Sequence, residues 1–203
     1  MSFVALSRRG LSEFELMDIL QVPRAMFSSF FLAVTQILKV SCGLFTIAHA
    51  LCLRAIEDKY LNHLLIRKSV RLRIVEYFQS RPVTHRTVDE MPWQLFHCRQ
   101  WQELATSIMN PHIFFLLFST DEGRFDLMIY WSQMLSGEID SSDLNAKCDQ
   151  CLSLADEFSF SVDEKVDLCL NLADMLQMLG YFDSSLPFIR RANHLQEATS
   201  GLN

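Results

Sequence analysis

Apolar residues recur at helical spacing through most of this 203-residue chain. The clearest case is 142–158, where Leu144, Cys148, Cys151, Ala155 and Phe158 follow at intervals of four, three, four and three. That is one stripe along one helix. "SEFELMDIL" supplies an apolar face from Phe14, Leu16, Met17, Ile19 and Leu20. Ser12–Glu15, Thr87–Glu90 and Ser161–Glu164 each place a Ser/Thr three before a glutamate. Such pairs satisfy the free amides of a first helical turn and predict helix starts.

The order of elements follows. After the first helix, Pro23 suits the first turn of a second, Arg24 to about Leu38. Leu44–Ile47 is aromatic and β-branched, which predicts a short strand, and a helix follows from about Ala50 to Tyr60. Helix, helix, wing, helix describes a small winged-helix unit, with an irregular helical bundle as the alternative. Residues 62–80 form a further helix, with Leu65, Val70, Ile74 and Phe78 toward the core. Its Arg67, Lys68, Arg71 and Arg73 make a basic patch, read as a solvated face in preference to an anion site. Residues 80–88 are expected to be a loop, 89–109 a pair of short helices, 124–135 one more helix and 136–142 a linker. A helix ending at Gly180 and an antiparallel partner from Tyr181 close the series. The fold class is mainly α, with expected boundaries at 1–61, 62–135 and 142–203.

Charge narrows the function. Residues 1–80 carry ten Lys/Arg against six Asp/Glu, while 81–203 carry eight against eighteen. The acidic second half argues against nucleic acid, as does a second helix with only Arg24 and Lys39 as nearby cations. "AMFSSFFLAVTQILKV" is broken by Ser28, Ser29, Thr35 and Gln36 and is too short for a membrane span. No signal peptide is visible at the N-terminus. The six cysteines show no disulfide framework and are read as reduced thiols of a cytoplasmic protein. Cys148 and Cys151 form a lone CxxC, read as core residues in preference to zinc ligands. Glycine spacing permits neither GxxxxGK[ST] nor GxGxxG, and no HExxH or GxSxG occurs. No catalytic pair, metal or cofactor is indicated, so the expectation is a protein that is not an enzyme.

Two stretches carry a family resemblance. "SRRGLSEFELMDILQVPRAMFSSF", with "GLFTIAHALCLRAIEDKYL", resembles the winged-helix segment that follows the nucleotide-binding core of STAND-type (NACHT-like) NTPases. The similar branch includes nephrocystin-type and telomerase-associated proteins with repeat arrays. Gly10, Leu11, Ser12, Glu13, Glu15 and Leu16 match its opening motif; Phe45, His49, Arg54, Ala55, Ile56 and Glu57 match a later one, which here lacks its first glutamate. The resemblance implies that His49 would contact a nucleotide diphosphate in a full-length parent. At a helix N-terminus such a histidine is well placed for an anion. For this chain alone, without a P-loop, the expectation is a histidine packed between wing and helix.

The C-terminal helix pair resembles a tetratricopeptide repeat. With Gly180 at the turn, Leu172 and Ala173 match the Leu-small pair, and Phe182, Ser185, Ile189 and Ala192 match the aromatic, small, bulky and alanine positions. The implied function is a non-catalytic protein-interaction or scaffold segment of a tetratricopeptide-repeat STAND protein, a truncated or degenerate product included. The alternative is a regulatory, nucleotide-state-sensing part whose P-loop lies outside this chain. Protein partners would bind through the helical repeat, with self-association through residues 181–196 by Leu186, Phe188, Ile189 and Leu195. No nucleic acid, membrane or cofactor is expected.

The purified chain should hydrolyse neither ATP nor GTP, having no phosphate loop or Mg²⁺-binding carboxylate motif. Turnover above buffer that a point substitution in this chain abolishes would refute the non-enzyme reading.

Overall fold

The computed structural model describes residues 1–137 and 139–200. The protein is mainly α-helical, and it divides into two compact units, residues 1–100 and residues from Trp101 onward.

The first unit begins with a short helix α1 (Ser2–Leu6) and a two-residue strand β1 (Leu11–Ser12). Helix α2 (Glu13–Leu20) starts on the Ser12–Glu15 capping box, both halves of which are formed. Helix α3 spans Arg24–Val34 and passes through a 3₁₀ turn, Thr35–Ile37, into strand β2 (Leu38–Ser41). The sequence predicts helix to about Leu38. Val34, Thr35 and Ile37 are β-branched and lose rotamer freedom in a helix. The chain instead extends and pairs with strand β3 (Leu44–Ile47). β1 pairs with the other edge of β3, giving a sheet of order β1-β3-β2. The β1 strand is not visible as a pattern, because two residues are too few to show alternation.

Gly10 makes the β1 pairing possible. Its φ is +92°, and a Cβ there would sit 2.5 Å from the carbonyl oxygen of Phe45. Only glycine accepts both conditions without strain.

Helix α4 (Ala50–Tyr60) occupies the expected span, and helix α5 (Leu64–Gln79) lies within its own. The core side of α5 is Ile74, Val75 and Phe78, with Val70 half-buried; Leu65 was expected with them but is 82% exposed. It lies in the first turn of α5, beyond the end of the packed face. Helix α6 (His85–His97) starts earlier than the sequence suggests. Its N-cap is Thr84, and Thr87 is the reciprocal partner at the third position. The expected Thr87–Glu90 box is therefore wrong: the loop ends near residue 84, and Glu90 lies a turn further into the helix, where it is buried.

Glu90 belongs to a buried polar cluster. Its Oε1 accepts from the Arg8 amide at 2.9 Å and from Gln94 Nε2 at 2.6 Å. Gln94 Nε2 also donates to the Leu6 carbonyl at 2.8 Å, and its Oε1 accepts from Arg71 Nη1 at 2.6 Å. Together these bonds tie the segment after α1 to α5 and α6.

The second unit contains helices α7 (Trp101–Ile108), α8 (Pro111–Phe118), α9 (Asp121–Leu135), α10 (Ser141–Glu157), α11 (Val162–Met178) and α12 (Phe182–Ser200). Helix α8 is not predicted, since "IFFLLF" is apolar all round and shows no periodicity. It is a buried helix, with Pro111 in its first turn and Asn110 as N-cap. Its Ile113, Phe114, Leu117 and Phe118 enter the core with Leu127, Trp131 and Met134 of α9. The stripe Leu144, Cys148, Cys151 and Ala155 of α10 is wholly buried, whereas Phe158, after the helix has ended, is exposed.

Burial pushes the Glu90 carboxyl above the usual glutamate range, against the lowering effect of its bonds to Gln94 and the Arg8 amide. A raised value means that the folded state holds this proton more tightly than the unfolded chain does. The contribution is full below an unfolded value near ~4.3 and is lost as pH rises through the folded value. Glu90→Gln, which keeps the acceptor and cannot ionise, should therefore raise the melting temperature at pH 7. The difference should vanish near pH 4, and thermal unfolding across that range checks it.

Candidate functional site

His49 is the N-cap of α4, in extended conformation, and its side chain makes no capping hydrogen bond. It is solvent-exposed, so the expected packing between wing and helix does not occur. Its neighbours Ala48 and Ala50, between the end of β3 and the first turn of α4, are exposed as well. The residues that match the same motif separate. Phe45 is buried against Phe31, with ring centroids 5.0 Å apart; Arg54 and Ala55 are exposed; Ile56 is buried. Beside the wing, an open groove of ≈ 560 Å³ is lined by Phe14, Val40, Cys42, Leu44 and Arg86. His49 is not part of it.

The basic patch of α5 is in part the solvated face expected of it, with Lys68 and Arg73 exposed, but Arg67 and Arg71 are half-buried. Arg67 Nε donates to the Leu61 carbonyl, and its Nη1 lies 3.5 Å from Glu57. Arg71 reaches Gln94, and Arg73 Nη2 donates to the Ile19 carbonyl at 2.6 Å with its guanidinium 4.8 Å from the Phe3 ring. The three arginines thus each reach a backbone carbonyl, Arg71 that of Leu6 at 3.4 Å, while Lys68 and Arg73 remain exposed. Guanidinium groups suit this task because one planar head can serve several acceptors. Spacing along one helix cannot show it, since the acceptors come from distant segments.

Arg86 is a further residue that the sequence does not single out. It grips Glu15 through Nε at 3.0 Å and Nη2 at 3.1 Å, and Nη2 also donates to the Gly10 carbonyl at 2.9 Å. The capping glutamate of α2 is thereby locked to α6. His97 lies against Trp93 at 4.1 Å between ring centroids. Burial, with the nearby Arg71 and Arg8 charges, pushes its pKa down to about 4.

In the second unit the candidate site is the α11–α12 hairpin. Gly180, at φ +87°, closes α11: the Tyr181 amide donates to the Leu176 carbonyl at 2.8 Å and the Gly180 amide to that of Gln177 at 2.9 Å. This is a Schellman motif. The same pair of bonds ends α10, with Ser159 in the left-handed position. Of the residues matched to the repeat, Leu172, Ala173, Ser185 and Ala192 are buried, Ile189 is half-buried, and Phe182 is 65% exposed. Small side chains at 173, 185 and 192 bring the two helices close. Ser185 Oγ is fixed by the Phe182 carbonyl at 2.7 Å and by Gln177 Nε2 at 3.3 Å. Phe188, expected on the outer surface, is buried, and among the described residues the exposed large apolar side chains of α12 are Phe182 and Leu186. Asp156, also unforeseen, lies 2.8 Å from Lys165 and 3.7 Å from Arg191, linking α10, α11 and α12.

Cys148, Cys151 and Cys169 are buried free thiols. Burial and neighbouring charge raise the thiol of Cys148, and burial pushes that of Cys151 up to about 12, so these are protonated and unreactive at neutral pH. No group of three or more metal-ligating side chains among the described residues could hold an ion. No single described helix is long and apolar enough to cross a membrane. Glu13–Leu20 and Arg24–Ile37 pass that test only together, and they are bent by 118°.

Comparison with known proteins gives a partial match. The chain is 25% identical over 136 residues to a TPR repeat-containing protein of Dictyostelium discoideum, covering 65% of this chain and 8% of that protein. It is 28% identical over 138 residues to nephrocystin-3 of Mus musculus, covering 63% of this chain and 10% of the relative. Human nephrocystin-3 matches to the same identity over 137 residues. The chain therefore spans a tenth or less of the length of these relatives. No family profile and no solved structure matches it.

Under native conditions a small alkylating reagent should label exposed Cys42 quickly and Cys148, Cys151 and Cys169 only after denaturation. Mass spectrometry of timed samples reads the order, and early labelling of Cys151 would contradict the burial described.

Proposed function

We propose that this chain is a protein-interaction segment, in which a winged-helix-like unit precedes a tetratricopeptide-like helical repeat. One observation carries the reading. The α11–α12 hairpin buries small residues between its helices yet leaves Phe182 and Leu186 on its outer surface at 65% and 46% exposure. A single helix pair has no second layer to cover that surface, and repeat arrays solve the problem by stacking the next pair on it. The TPR repeat-containing relative in Dictyostelium supports the same reading.

The finer assignment is a non-catalytic segment of a tetratricopeptide-repeat STAND protein, tetratricopeptide repeat protein 41 or a close relative. In it, residues 1–61 would be the winged helix, 62–135 a helical connector and 142–203 the start of the array. Similarity to nephrocystin-3 supports this. A second reading, a regulatory part that senses nucleotide on a P-loop outside this chain, draws on His49. The imidazole is exposed at the α4 N-terminus, where the helix dipole favours an anion. In a P-loop-containing parent His49→Ala would then weaken ADP binding.

The array reading is tested on the whole chain extended after Asn203 by a consensus helix pair. If the outer face of α12 is a stacking face, the extension should raise the melting temperature by several degrees in one cooperative transition, since ~1 kcal/mol is worth ~2–4 °C at this size. Phe182→Asp with Leu186→Asp should abolish the gain. Two separate transitions with an unchanged melting point for the parent would refute it.

A further inference from the structure

The corner between α4 and α5 puts large aliphatic side chains fully into solvent. Leu64 and Leu65 are 84% and 82% exposed, with Ile66 at 42% and Tyr60 at 49% beside them. Every residue from 62 to 66 is exposed. The turn itself is held from within: Leu61 is fully buried, and its carbonyl accepts from Arg67 Nε. Nothing in the core requires the leucines that follow to be apolar. Charge at this corner is one-sided as well. Between Asp58 and Glu76 there is no acidic residue, while the stretch holds two lysines and three arginines. Arg67 and Arg71 are engaged with Glu57, Leu61 and Gln94. Lys59 and Lys68 stand on either side of the corner in sequence, are exposed, and make no ion pair among the described residues. Lys59 lies 5.1 Å from the Tyr60 ring centroid.

We infer that this corner is a contact for an anionic phospholipid surface, lodged at the interface without spanning it. Two properties select that occupant. The first is shape. Successive helical residues point ~100° apart, so Leu64, Leu65 and Ile66 fan over about 200°. A protein surface covers one side of such a turn, whereas a fluid interface closes around it from every side. The second is charge complementarity. Lysines beside exposed leucines and a tyrosine match anionic headgroups lying above acyl chains, with each ammonium reaching outward from its apolar stem. The net charge of −6 does not oppose this. The acidic excess lies in residues 81–203, and screening confines its field to about 10 Å at about 0.1 M salt. The expected absence of a membrane therefore holds for a span and is revised for a surface contact. So few side chains give weak, freely reversible attachment.

The test is flotation of the full chain with phosphatidylcholine vesicles, with and without about one third phosphatidylserine, at about 0.1 M salt. The chain should float with the phosphatidylserine vesicles and stay behind with phosphatidylcholine alone or at about 1 M salt. Leu64→Asp with Leu65→Asp should weaken partition roughly tenfold or more with far-UV circular dichroism unchanged, since both side chains lie outside the core. Lys59→Glu with Lys68→Glu, at exposed positions, should weaken it by roughly fivefold or more per lysine and decides the matter if the leucine variant disturbs the fold. Phe182→Asp should leave flotation unchanged, which separates this corner from the repeat face. Equal flotation on phosphatidylcholine alone, or flotation that survives either double substitution in a folded chain, overturns the inference. So does loss through Phe182→Asp alone. Flotation on no vesicle overturns it too and leaves the corner to an acidic protein surface.

Discussion

A buried amide without a partner costs more than a hydrogen bond gains, and the first unit is organised around that asymmetry. Gln94 is fully buried and uses both ends of its amide, on Glu90, Leu6 and Arg71. Glu90, equally buried, accepts from the Arg8 amide as well. These groups come from the segment after α1, from α5 and from α6, so none of the three can move without stranding a polar atom of another. Apolar contact alone would tolerate sliding, because it has no direction. The polar cluster fixes the register. Arg86 repeats the device nearby, holding Gly10 and Glu15 and through them the starts of β1 and α2.

The second unit reaches the same definition by other means. Its core is packed by size, with Trp131 and Phe114 fully buried on one side and alanine, serine and cysteine at the α11–α12 contact. Close helix approach there needs small side chains, and it needs a turn that reverses the chain in few residues. Gly180 supplies the turn at a φ that other residues adopt at a cost. The ion pairs of Asp156 lie at the rim, half exposed, and such pairs contribute little to stability. Their contribution is to register among α10, α11 and α12.

What was legible in the sequence follows from which forces are local. The Ser12–Glu15 and Ser161–Glu164 boxes, the first four positions of the α10 stripe and the Gly180 stop depend on residues within a turn or two of each other, and each is found where the pattern places it. Thr87 and Glu90 have the same spacing but a different fate, because Thr84 competes for the cap one turn earlier. The arginines of α5 and Arg86 could not be read, since what defines them is a carbonyl up to 76 residues away. β1 exists only because β3 is there to pair with it. Of the candidate site, the buried positions of the repeat were visible as small-residue spacing. Which apolar residues stay outside was not, and Phe188 and Phe182 are exchanged relative to expectation.

The surfaces of the two units differ in a way that bears on function. In a repeat array the apolar face of one helix pair is covered by the next, and the outer face of α12 carries Phe182 and Leu186 exposed. Helix α3 belongs to no repeat, and its exposed face has another cause. Its inner side is already satisfied by the ring chain to Phe45, so the fold gains nothing from Leu32 or Met26. Among the described residues no group of three or more metal-ligating side chains could hold an ion, and the outer face of α12 keeps Phe182 and Leu186 exposed.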